Sequence, residues 1–132
     1  MERITITDLT TDSSGVATAF TKVVRGKIHS IQYVKSDYAD GVDFTITGET
    51  TAQQIWVESN VNASKTVAPS IPTHDEIGVA SLYASAGEPV ERPIAIAEER
   101  IKVAIAAGGD TKKGTFHILI DGSVQGKDST SA

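Results

Sequence analysis

A chain of 132 residues with 12 basic and 17 acidic side chains carries a formal charge of −5 and has room for one domain with a substantial core. That balance argues against a phosphate backbone or an anionic membrane as the main partner, because both would repel it. Absence of cysteine excludes a disulfide framework and thiolate chemistry, and no apolar run approaches the ~18–20 residues that span a bilayer.

The first residues, Met1 to Ile6, lack the basic-then-apolar pattern of a secretion leader, so no signal peptide is expected, and without a spanning run a soluble protein is expected. Residues 3–9 alternate Ile4 and Ile6 with Thr5 and Thr7, which predicts a half-exposed or edge strand. Residues 10–15 are a turn by composition. Residues 16–25 and 27–35 are both β-prone, with Gly26 between them as a bulge, a bend or a tight turn. A second turn cluster covers 37–42, and residues 43–48 alternate with Phe44 and Ile46 on one side. A further short strand is expected over 51–58, around Ile55, Trp56 and Val57.

Periodicity is lost over residues 59–78, which contain Pro69, Pro72 and isolated Val67 and Ile71. Some twenty residues without a pattern exceed the ~12–15 at which loops in compact domains become functional or disordered. Such a segment is either an arm stiffened by proline that gains contacts on another subunit, or a surface loop folded back on its own domain. Residues 77–84 suit a strand or a short helical turn, 86–89 a turn, and 90–96 a short strand interrupted by Pro93. A helical turn is possible over 95–100. The clearest signal comes last. Ile101, Val103 and Ile105, then Phe116, Ile118 and Ile120, alternate on either side of a glycine-rich break at 108–114, and they read as an antiparallel hairpin. Residues 123–132 form a polar tail expected to fray.

Eight or nine short strands at roughly ten-residue spacing predict an all-β fold. The expected architecture is a single antiparallel β-sandwich or jelly-roll-like barrel over 1–122 with one long irregular loop at 59–78. No cofactor motif is present. Asp37, Asp40 and Asp43 lie at three-residue intervals; hard-cation binding is one reading, but the spacing misses that of an EF-hand and fits turn chemistry better. The His74-Asp75-Glu76 run has no activated nucleophile to serve, so no enzyme is expected. The Asn62-Ala63-Ser64 sequon has no secretion context to give it meaning. One tryptophan and three scattered tyrosines make no evident stacking platform for sugars or single-stranded nucleic acid.

Two stretches carry a family resemblance. One runs Tyr33-Val34-Lys35-Ser36-Asp37-Tyr38-Ala39-Asp40-Gly41-Val42-Asp43-Phe44-Thr45-Ile46-Thr47-Gly48. The other runs Arg100-Ile101-Lys102-Val103-Ala104-Ile105-Ala106-Ala107-Gly108-Gly109, with Gly114-Thr115-Phe116-His117. With Val61-Asn62-Ala63-Ser64 and Ala68-Pro69 between them, they resemble small proteins encoded among the head genes of tailed bacteriophages. The resemblance implies a virion structural protein, above all a capsid decoration (cement) protein made in the host cytoplasm and seated on the outer capsid. Its implied partners are the major capsid protein and its own copies, as a homotrimer, with no nucleic acid and no membrane. A neck, tail or head-fibre component is the alternative within that setting, and a receptor- or carbohydrate-binding module the alternative outside it. Contacts are expected from Ile4 and Ile6 on the first strand, from Val67, Pro69, Ile71 and Pro72 in the long segment, and from Asp110, Lys112 and Lys113 at the charged tip.

Overall fold

The structure is a computed structural model that describes residues 1–79, 81–82 and 90–124. These form nine strands and, among the described residues, no helix: β1 (Glu2–Thr10), β2 (Ala17–Lys35), β3 (Val42–Gly48), β4 (Gln54–Val61), β5 (Lys65–Val67), β6 (Ser70–Pro72), β7 (Glu91–Pro93), β8 (Ala95–Ala106) and β9 (Lys113–Val124). All pairings are antiparallel. Seven strands make one sheet in the order β1-β9-β2-β8-β3-β4, with β5 also paired to β2; β6 and β7 make a second, two-stranded sheet.

β2 is shared by two wings. Its first part pairs with β8, from Ala17 opposite Ile105 to Lys27 opposite Ala95. Its second part pairs with β9, from Val24 opposite Val124 to Lys35 opposite Gly114, and on its other side with β5. A straight strand of 19 residues would hold its ends about 60 Å apart. Yet residues 107–112, which reach at most about 25 Å, connect the end of β8 beside Ala17 to the start of β9 beside Lys35. β2 must therefore fold back on itself, which lays one wing over the other as the two faces of a sandwich.

Gly26 is where it turns. Its φ of 122° is open to glycine and strained for other residues, and a Cβ there would meet the Asp121 carbonyl oxygen at 2.5 Å. Gly122, directly opposite in register, leaves room in turn for the Arg25 carbonyl. Register shifts between Phe20 and Val23, between Val24 and Arg25, and between Ile28 and Ser30 add the local twist that a folded-over strand needs. The last of these also explains why Ile28 and Ile31, three apart, both point inward.

Facing side chains from the two wings make one core. Ile28, Ile31, Tyr33, Phe44, Ile46, Ile101, Val103, Ile105, Phe116, Ile118 and Ile120 are all essentially inaccessible. Phe44 on β3 and Phe116 on β9 meet edge to face at 5.1 Å although β2 and β8 lie between their strands in the sheet. Tyr33 packs against both, at 4.7 and 5.3 Å, and Trp56 reaches Phe44 at 5.2 Å. The Tyr33 hydroxyl is buried with no hydrogen-bond partner among the described residues, and burial, with the Asp40 charge second, pushes its pKa up to about 12. Tyr38 donates instead to the Leu9 carbonyl at 2.5 Å.

The strands at 101–106 and 116–120 form where alternation places them, but they are not a hairpin. β2 lies between them. Their connection is a bridge between wings, closed against two other loops: Gly108 N donates to Gly15 O (3.0 Å), Ala39 N to Gly108 O (2.9 Å), and Thr11 Oγ1 to Gly109 O (2.6 Å). The 95–100 region is strand, not a helical turn. Segment 59–78 is irregular only in part, since β4 continues to Val61 and β5 and β6 pin it to β2 and β7. β9 continues to Val124, past the expected domain end at 122; residues 125–132 of the tail, and the turn at 86–89, lie outside the described residues.

Glu99 on β8 is 6% exposed, and the β3–β4 turn is built around it. Its carboxylate accepts from Thr50 N (2.8 Å), Thr51 N (3.0 Å) and Thr51 Oγ1 (2.9 Å). Burial raises its pKa, but these three hydrogen bonds together outweigh burial and hold it below the ordinary 4.5. A depressed folded-state pKa means stability fully present above about pH 4.5 and lost as pH falls through the lower native value. Glu99→Gln should therefore cost about 1–3 kcal/mol at neutral pH, because an amide N–H replaces one acceptor, and should flatten the acid limb of a urea-denaturation series. An unchanged acid limb would show that Glu99 is not its source. Gly26→Ala should lower stability by about 2 kcal/mol or more in the same assay; a loss under about 0.5 kcal/mol would mean the fold-back tolerates a side chain.

Candidate functional site

Two features stand out from the sandwich: an arm and an open edge. The arm runs from Pro69 to Ile94, both buried at its root, where Ile28 N donates to Ile94 O at 3.0 Å. β6 and β7 pair in the register Ser70–Pro93, Ile71–Arg92, Pro72–Glu91. Beyond them Thr73 N donates to Val90 O (2.7 Å), Ser81 N to Thr73 O (2.9 Å) and Val90 N to Ser81 O (2.9 Å), so three stretches of chain are laced together.

A tight loop lies along this arm. Asp75 Oδ1 accepts from Ile77 N (3.0 Å) and Val79 N (2.9 Å), Asp75 N donates to Val79 O (2.9 Å), and Gly78 takes a positive φ of 85°. The consequence is an exposed apolar group: Ile77 is 80% accessible, Val79 56% and Leu82 40%. Single exposed apolar residues are ordinary; here three lie within a six-residue span of the arm.

The contact residues expected from sequence are distributed differently. Pro69 is buried, and Val67, Ile71 and Pro72 are half-buried, with Val67 and Ile71 packed on the domain's own core. The arm is thus anchored by these residues and presents others. Ile77, Val79 and Leu82 were the residues missed; the only available signal was apolar side chains following the prolines in a stretch without periodicity. Ile4 and Ile6 are half-buried on β1, an edge strand of the main sheet whose outer backbone edge is unpaired among the described residues. A register shift between Ile6 and Leu9, with Asp8 at φ 51°, limits the regular part of that edge to Glu2 through Ile6. Asp110 is exposed and Lys112 half-buried on the inter-wing bridge, and Lys113, exposed, begins β9.

The polar clusters resolve into turn chemistry. Asp37 Oδ1 accepts from Lys113 N (2.5 Å), Asp40 pairs with Lys35 (2.5 Å), and Asp43 Oδ1 accepts from Asn60 N (3.0 Å), so the three carboxylates serve three different donors. Among the described residues no group of three His, Asp or Glu side chains is arranged to hold a metal ion. Asp75 is committed to its loop, and His74 and Glu76 are exposed beside it. Asn62 Oδ1 accepts from Gly41 N (2.7 Å) and Ser64 Oγ from Lys35 N (2.9 Å), which gives both sequon residues structural work. Glu58 accepts from Trp56 Nε1 (2.9 Å) and Lys65 Nζ (2.6 Å); the Lys65 bond, then the Trp56 bond, lowers its pKa. No protein-family model matches the chain, and no curated protein matches it significantly.

Asp75→Ala should free the Ile77 and Val79 amides. Hydrogen exchange at these two positions is expected to accelerate by about tenfold or more, as the loss of roughly 1.4 kcal/mol of local protection implies, with global stability nearly unchanged. Unaltered exchange would mean that the loop does not depend on Asp75.

Proposed function

We propose that this protein is a bacteriophage virion structural protein that decorates the outer capsid and clamps neighbouring capsid subunits. The observation that carries the reading is the anchored arm with Ile77, Val79 and Leu82 exposed on it. A rigid sandwich with a projecting apolar contact suits a mechanical role, in which free energy comes from surface buried across a joint. A standard protein interface buries ~1,600 Å², and repetition over a shell multiplies weak contacts through avidity. The regular edge Glu2 through Ile6 offers a second contact, by strand addition to a capsid subunit or to another copy in a trimer. The charge of −5 favours the solvent side of the shell over the side facing packaged DNA. The sequence likeness to phage head-cluster proteins points the same way.

The reading is tested with capsids prepared with and without the protein. Hundreds of copies per particle, and rupture at lower temperature or milder osmotic shock when it is missing, are expected. A dozen copies or fewer would reassign it to a neck or tail position, and equal rupture thresholds would remove the clamping role. Ile77→Ser, Val79→Ser and Leu82→Ser combined should preserve the β-type circular dichroism and abolish capsid binding. Full binding by this variant would place the contact elsewhere.

A further inference from the structure

A second surface is built from residues other than the apolar ones of the arm. The outer face of the β1-β9-β2-β5 wing has a depression of about 320 Å³ lined by Arg3, Ser30, Gln32, Thr66, His117 and Leu119. Strand register assembles it: Arg3 stands opposite Leu119, Leu119 opposite Ser30, His117 opposite Gln32, and Gln32 opposite Thr66. Four strands thus contribute to one concavity, and its volume lies at the lower end of ligand pockets, roughly 300–1,000 Å³.

Its lining is polar, with one guanidinium. The chain has 17 acidic residues, yet none is among the described residues that line the depression; Thr5, Thr115 and Val34 adjoin it at one end, and Asp121, the next outward position after Leu119, lies beyond its rim beside Lys27. Among the described residues Arg3 makes no ion pair, while Arg25, Lys35, Lys65 and Arg100 each do. Thr5 Oγ1 and His117 Nδ1 lie 3.1 Å apart, which orients the imidazole and leaves Nε2 for a ligand. A guanidinium fork matches a carboxylate in bidentate fashion. The Gln32 amide and the Ser30 and Thr66 hydroxyls donate and accept in the manner sugar hydroxyls require, and Leu119 offers an apolar floor to the C–H face of a ring.

We propose that this concavity is a binding site for an acidic saccharide, one uronic-acid unit seated with its carboxylate on Arg3 and its hydroxyls on Gln32, Ser30 and Thr66. The site does not rest on the capsid reading: it uses side chains on the outer face and none of the arm's apolar residues, although Arg3 stands on the strand whose backbone edge that reading offers for strand addition.

The test is an amide chemical-shift titration of the full chain with D-glucuronate, run beside D-glucose, acetate and inorganic phosphate. Saturable shifts are expected at Ser30, Gln32, Thr66, His117 and Leu119, with glucuronate bound at least about tenfold more tightly than glucose. Arg3→Gln should remove that preference, and Gln32→Ala should weaken glucuronate while sparing acetate. No localised shift with glucuronate at tens of millimolar would overturn the proposal. So would equal affinity for glucose, or shifts by acetate or phosphate as tight as those by glucuronate, which would reduce the surface to a general anion patch.

Discussion

The architecture depends on a single strand that changes sheets. β2 belongs to both wings, and it does so by folding back at Gly26, where the backbone of residues 121–122 is close enough to exclude any side chain. Remove the fold-back and the wings have no common edge, the loops at 11–16, 36–41 and 107–112 no longer meet, and the Phe44–Phe116–Tyr33 cluster has no second face. Packing then rewards the bend: alternate residues from both arms of β2 enter the same core from two sides.

A strand bent and bulged this much leaves backbone amides out of register, and the few buried polar side chains answer that need. Thr21 sits inside the irregularity between Phe20 and Val23, where its Oγ1 accepts from Ile101 N at 2.9 Å and donates to Lys22 O at 2.7 Å. Thr11 bridges the wings' closed end, accepting from Lys112 N at 2.9 Å while donating to Gly109 O. Glu99 does the same for the amides of Thr50 and Thr51. The buried polar residues Thr11, Thr21 and Glu99 thus sit where the regular ladder is interrupted, as the cost of an unsatisfied buried amide demands. The Tyr33 hydroxyl is the contrast: it has no partner among the described residues, and its ring serves through what it packs against.

Strand positions and their buried faces were legible from alternation, as at 43–48, 101–105 and 116–120. Neighbours were not. Ile101–Ile105 and Phe116–Ile120 read as a hairpin because they are adjacent in sequence with glycines between, yet period two reports which face a residue occupies and nothing about which strand lies beside it. Gly26 was legible as an interruption; that the chain continues as one strand through it follows only from Gly122, 96 residues away in sequence. The arm was illegible for a related reason. Pairs of three residues, β5 with β2 and β6 with β7, are too short to show a period, and the contribution of Asp75 lies in side-chain-to-backbone bonds that no hydropathy pattern carries. The depression on the outer face is assembled from four strands, so its residues are scattered from Arg3 to Leu119 and look like ordinary solvent-facing positions one at a time.

The pairing of the first strand with the last has a temporal consequence. Glu2 lies opposite Ile120, and the first part of β2 waits for β8 about 80 residues later. During synthesis at ~5–20 residues per second, β1 therefore spends roughly 5–25 s without its partner. For that interval Ile4–Ile6 is exposed as an unpaired strand, and most of β2 shares the exposure until β8 is made. Folding dominated by such distant pairings is slow, and the nascent chain is most vulnerable to association with its own copies while it is still being made. Association between such exposed strands competes with folding for as long as the distant partners are missing.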